Sequence, residues 1–163
     1  MNLPLVCPIT ETAPLLPHSG RMVLLDCITE YDEHHLQAQA SIDEKHILLV
    51  NDVLPCTAGM EIMAQGIAAL AGCHALNAGE KVRLGFLLGT RKLNLFAQSI
   101  PVGTKLQIDV RVSTQDASGM GVFDCELRWT DAPESAKQQL PSDGLLMQAA
   151  LNVYSPKAEK EAV

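Results

Sequence analysis

A chain of 163 residues with net charge −7 is long enough for one domain with a sizeable core. It is too acidic for a general nucleic-acid binder or for adsorption to an anionic membrane. Apolar residues make up 47% and aromatics only 4%, so the core must be built from aliphatic and small side chains.

No uninterrupted apolar run approaches bilayer length, and the N-terminus has no basic region and breaks its apolar run at Pro4 and Pro8. The expectation is no membrane span, no signal peptide and a cytoplasmic setting. Cys7, Cys27, Cys56, Cys73 and Cys125 show no CxxC pairing and no histidine at zinc-ligand spacing, which fits reduced, mostly buried thiols. No nucleotide, phosphate-loop or metal signature is present, so no cofactor is expected.

Pro4, Pro8, Pro14 and Pro17 predict an irregular segment over residues 1 to about 20, with at most a helical turn near Ala13–Leu16. Met22–Ile28 reads as a buried strand. After a turn at Tyr31–His34, the alternation of Leu36, Ala38, Ala40 and Ile42 with polar residues predicts a half-buried one. Residues 43–55 form a loop. Thr57 is placed to cap a helix running to about Asn77, where Ala78-Gly79 stops it. Strands follow at Arg83–Asn94, Lys105–Gln115, Gly119–Arg128 and Leu145–Tyr154. In the third of these, Phe123, Cys125, Leu127 and Trp129 share one face. Residues 131–143 read as a surface loop and the tail from about 155 as frayed.

One long helix between strand runs, apolar nearly all round and rich in Gly and Ala, belongs inside a sheet that wraps it. The predicted class is α+β: one domain, a curved antiparallel sheet around a central helix.

Within that helix stands Glu61, with Gln65 one turn on and on the same face. A carboxylate among apolar side chains neutralises, finds a partner or does chemistry. The alternative is an edge-of-core Glu welcomed by the helix N-terminus. Cys56, before the helix start, reads either as an activated thiol or as a small buried residue filling a gap. Lys81, Arg83, Arg91, Lys92, Lys105 and Arg111 make up half of the 12 basic residues. They form a patch for an acidic partner if they share a face, and ordinary solvated charges if they do not.

Three blocks carry a resemblance. They are Leu16-Pro17-His18-Ser19-Gly20-Arg21-Met22-Val23-Leu24-Leu25-Asp26, Pro55 with Glu61-Ile62-Met63-Ala64-Gln65, and Pro101-Val102-Gly103 before Leu106. In order and spacing they resemble the hot dog fold 3-hydroxyacyl-[acyl-carrier-protein] dehydratases, whose helix motif is E-A-M-A-Q. Val82–Arg91 and Gly121–Cys125 are similar to a narrower branch, the dehydratase-like proteins of aryl polyene biosynthesis clusters.

The resemblance implies removal of water from a carrier-bound 3-hydroxyacyl thioester to give a trans-2-enoyl product. Glu61 matches the family's acid and Gln65 its companion. Pro55 and the amides of Ala58 and Gly59 are the implied substrate-binding positions, the amides polarising the thioester carbonyl. One departure stands out: the family's G-H-F-P histidine falls on Ile47, and His46 lies one residue off. His46 is therefore either the base or a solvated loop histidine, and His18 reads as structural. The implied partners are an acyl carrier protein and a second hot dog subunit, in a homodimer or heterodimer. A non-catalytic partner subunit and a hot dog thioesterase are the alternative functions.

Overall fold

In a computed structural model of the chain, residues 5–156 are described; the tail expected to fray falls almost entirely outside them. The strands are β1 (Cys27–Tyr31), β2 (His35–Ser41), β3 (Val53–Pro55), β4 (Phe86–Leu95), β5 (Ser99–Pro101), β6 (Lys105–Gln115), β7 (Met120–Asp131) and β8 (Leu145–Tyr154). The helices are α1 (Gly59–Asn77) and the single turn α2 (Glu134–Lys137). A six-stranded antiparallel sheet runs in the order β1-β2-β6-β7-β8-β4, and β3 pairs with β5 in a small separate ladder. This is the predicted curved sheet enclosing one long helix.

Alternation builds the enclosure. Leu106, Ile108 and Val110 of β6, Phe123, Cys125 and Leu127 of β7, and Met147, Ala149 and Leu151 of β8 turn inward and are buried. They meet Ile62, Met63, Ile67, Leu70 and Cys73 of α1. Each fully buried Leu, Ile or Met contributes about 1.5–3 kcal/mol. The stretch Cys56–Asn77 has the length and mean hydropathy of a membrane span, yet 61% of the window is buried, so the sheet takes the place of lipid. Glycines set the closeness of approach. A Cβ on Gly66 would lie 3.2 Å from Ile108 and Val110, and one on Gly72 only 1.9 Å from the Leu15 carbonyl oxygen.

Several local expectations need correction. The Met22–Ile28 run is a 3-10 turn at Gly20–Met22 and an irregular segment, with strand only from Cys27. Thr57 does not cap α1, because a 3-10 turn at Cys56–Ala58 leads into the helix and no side-chain cap bond forms. Residues 43–55 contain β3, and residues 131–143 contain α2.

The two outer strands of the sheet differ. At β1, Ile9 bridges Ile28 with both main-chain bonds at 2.9 Å, so the N-terminal segment straps that edge. At β4 no strand follows on the outer side among the described residues, and Phe86, Leu88, Leu93, Leu95 and the adjoining Leu84 and Phe96 are exposed.

Candidate active site

The sheet does not cover all of α1. Glu61, Ala64, Gln65, Ala68 and Ala71 recur at helical spacing along one face. That face lines a cleft of about 130 Å³ with Pro17, His18, the segment from Arg83 to Leu87 and the end of β8. The small side chains of Ala64, Ala68 and Ala71 therefore leave space beside the helix as well as thinning it. Glu61 is exposed at the cleft, in the first turn of α1, rather than enclosed among apolar groups. It is open both to solvent and to the cleft.

Gln65 is 4% exposed, and its amide is committed to the main chain. Oε1 accepts from Leu24 N at 2.9 Å, and Nε2 donates to Met22 O. Gln65 thus holds the irregular 22–24 segment against α1, a different task from the expected companionship with Glu61. Gln65→Leu should orphan the Leu24 amide and loosen the segment, lowering stability by about 2–4 kcal/mol in denaturant titration. Gln65→Glu should be milder at acid pH, where a protonated carboxyl can again donate to Met22 O. Equal stability of Gln65→Leu and wild type would refute the clamp.

The other expected site residues lie elsewhere. His46 sits in a separate pocket of about 270 Å³ with Arg21, Asp26, Asp43 and Lys45. Its Nδ1 accepts from Leu48 N at 3.3 Å, and its buried Nε2 has no partner among the described residues. Burial pushes the His46 pKa below its ordinary value, despite the opposing pull of Asp43 and Asp26. Within one subunit, then, His46 and Glu61 line different pockets. Pro55 belongs to β3, and Gly59 is packed under Leu127 and Met147. Neither these two nor Ala58 lines the Glu61 cleft.

Cys56 is the gap-filler: its thiol points at Leu146 O, 3.6 Å away, and burial raises its pKa. Burial likewise pushes the Cys73 and Cys125 thiols up to about 12. Such thiols are poor nucleophiles at neutral pH.

The histidine that does share the cleft with Glu61 is His18. Its Nδ1 is buried without a hydrogen-bond partner among the described residues. The sequence offers one signal for it, its place in the first resemblance block. No group of three or more His, Cys, Asp or Glu is arranged to hold a metal among the described residues.

A family model, ApeP-like (ApeP dehydratase), matches residues 10–163. The chain belongs to the ApeP-like dehydratase family. Among solved structures it is similar to the dehydratase heterocomplex ApeI:P from Xenorhabdus doucetiae, at 26% identity and TM-score 0.77 over 94% of each chain. It shares its fold with PaaI of E. coli from the phenylacetic acid degradation operon (12% identity, TM-score 0.54, 78% of this chain and 80% of that one). A hypothetical thioesterase with coenzyme A from Streptococcus pneumoniae also shares it (11% identity, TM-score 0.54, 78% and 83%). No curated protein sequence matches. These likenesses establish the hot dog architecture, and the first of them, with the family match, a dehydratase-like role.

The basic residues of this ApeP-like chain do not form one patch. Arg83 lines the Glu61 cleft and pairs with Glu80 at 3.1 Å. Arg91 lines a groove with Thr114 and Met120, while Lys92 and Arg111 line a polar hollow that also holds Asp109 and Glu126.

Proposed function

We propose that this chain is the acid-bearing subunit of a dehydratase acting on 3-hydroxyacyl thioesters of an acyl carrier protein, in aryl polyene or fatty-acid-like chain building. The observation that carries this reading is the placement of Glu61 at an apolar cleft in a member of a dehydratase family. In the reaction, a base takes the proton from C2, the C2–C3 double bond forms, and the C3–O bond breaks. Glu61 protonates the departing hydroxyl, which leaves as water. The acyl chain lies along Ala64 and Ala68, which leave room beside the helix, and against the apolar ring of Phe86.

The base comes from a second hot dog subunit. His46 does not share a pocket with its own Glu61, so a single subunit lacks a complete acid–base pair of the expected kind. The outer rim of β4 supports the same conclusion. Among the described residues it is unpaired and apolar, and Phe86 belongs both to that strand and to the cleft, so a strand added there would abut the site. The similar Xenorhabdus structure is itself a heterocomplex. By the same logic, His46 would serve a carboxylate contributed by the partner.

The test is to incubate a 3-hydroxyacyl carrier protein with this chain, with a companion hot dog dehydratase, and with both, and to follow the product by mass spectrometry. The expected result is loss of water from the acyl group in the mixture, and its strong reduction by Leu88→Arg, which charges the open edge. Binding in the mixture with turnover unchanged by loss of Glu61 would mean that this chain only stabilises its partner. Release of free carrier thiol would mean a thioesterase. Either outcome refutes the proposal.

A further inference from the structure

The expected carbonyl donors, the amides of Ala58 and Gly59, do not line the Glu61 cleft. A thioester bound there therefore needs another hydrogen-bond donor, because proton loss from C2 puts negative charge on the carbonyl oxygen. His18 is placed to supply it. It lines the cleft together with Glu61, and it is carried on the segment that Gln65 ties to α1 through Met22 and Leu24. That tie gives the imidazole a fixed station beside the helix, as a preorganised donor requires.

Its surroundings favour one tautomer. Nδ1 is buried and has no partner among the described residues. A proton on that nitrogen would be an orphaned buried donor, the costlier of the two ways to leave a ring nitrogen unpaired. A tautomer with the proton on Nε2 avoids that cost and keeps one N–H free for a ligand.

We propose that His18 is a substrate-touching residue whose Nε2–H donates to the carbonyl oxygen of the bound acyl thioester, while Glu61 acts on the hydroxyl. This rests on the dehydratase reading above and gives His18 a part in binding beyond a structural one. A neutral imidazole acts here as a hydrogen-bond donor and not as the base at C2, so its contribution should survive replacement by another neutral donor in the same place.

The experiment uses S-crotonyl pantetheine labelled with carbon-13 at the carbonyl, bound to this chain alone and with its hot dog partner. Infrared difference spectra report the carbonyl stretch. In wild type the band should move to lower frequency on binding. His18→Gln, whose amide nitrogen reaches the Nε2 position, should keep most of the shift. His18→Asn, whose amide nitrogen falls near Nδ1, should lose it. His18→Leu should lose it too and lower kcat/KM for the 3-hydroxyacyl carrier roughly 10²-fold, with His18→Gln retaining activity and an unchanged pH profile.

A shift equal in wild type and in both His18→Asn and His18→Leu overturns the role of His18 while leaving the cleft as the site. Loss of activity in His18→Gln together with one limb of the pH profile would make His18 a proton-transfer group instead. Failure of wild type to bind the probe, alone and with the partner, overturns the dehydratase reading and this inference together.

Discussion

Gly72→Ala should be the most destabilising conservative change in the protein, lowering the melting temperature by about 5–15 °C. Two effects oppose each other at this position. Alanine is the better helix former, and in the interior of α1 it should contribute about 1 kcal/mol. Its Cβ, however, would stand 1.9 Å from the Leu15 carbonyl oxygen, 2.8 Å from the Leu15 carbonyl carbon and 3.0 Å from its Cα.

These are main-chain atoms of Leu15, the buried last residue of the turn Ala13–Leu15, whose side chain is 1% exposed. The turn cannot move aside by rotating a side chain. Helix and turn must separate by more than an ångström, which breaks contacts around Leu15 and Leu16 and costs about 3–5 kcal/mol. The clash wins, leaving a net loss of about 2–4 kcal/mol. Gly66→Ala is the control, because its Cβ would meet only methyl groups of Ile108 and Val110 at 3.2 Å, and side chains can give. Its effect on stability should stay within about 1 kcal/mol of zero. Thermal melts of the two variants decide the matter, and equal melting temperatures would show that the Leu15 turn is not seated against α1 as described.

Glu61→Gln should leave stability nearly untouched and remove most of the activity. The residue is exposed in the first turn of α1, and an exposed substitution of this kind changes stability by only about 0.5 kcal/mol. Glutamine keeps the shape and a hydrogen-bonding end but has no proton to deliver to a leaving hydroxyl. Loss of a general acid lowers the rate by about 10²–10⁴-fold. The effect should fall on kcat, with KM changed little, because the acid acts as the C–O bond breaks. Steady-state dehydration of a 3-hydroxyacyl carrier by the assembled complex measures this. A Glu61→Gln complex within twofold of wild type would remove Glu61 from the chemistry.

Much of the fold was legible because its elements carry a strong period. The bounds of β6 and β8 agree with those read from alternation, and α1 ends at Asn77 as the Ala78-Gly79 stop predicted. Errors gathered where hydrogen bonds leave the ladder. The apolar run from Met22 looks like a strand, yet its polar groups are held by distant side chains: Gln65 takes Met22 and Leu24, and Thr12 donates to Leu25 O at 2.6 Å. No local pattern announces such partners. β3 and β5 were missed because three residues, each strand containing a proline, hold no readable period.

The site was legible to a similar degree. Glu61 stood out because an acid in an apolar helix demands an account. Equal spacing put Gln65 on its face but said nothing of what the amide would hold. Ala58 and Gly59, the expected carbonyl donors, stand outside the lining of the Glu61 cleft, with Gly59 set against Leu127 of the core. His18 reaches the cleft from a segment 43 residues before Glu61, on the same stretch of chain whose Met22 is bound by Gln65, and sequence order hides both contacts. Alternation also dispersed the basic residues, sending the neighbours Arg91 and Lys92 to different surfaces.

The central claim is that a 3-hydroxyacyl thioester lies in the cleft between α1 and the Arg83–Leu87 segment. A crystal structure of the assembled complex with a 3-hydroxyacyl pantetheine amide, which cannot be hydrolysed as a thioester, tests this most directly. The account predicts the 3-hydroxyl within about 2.6–3.2 Å of the Glu61 carboxylate and the chain running past Ala64 and Ala68. An acyl chain bound elsewhere, with Glu61 facing only water, would contradict it.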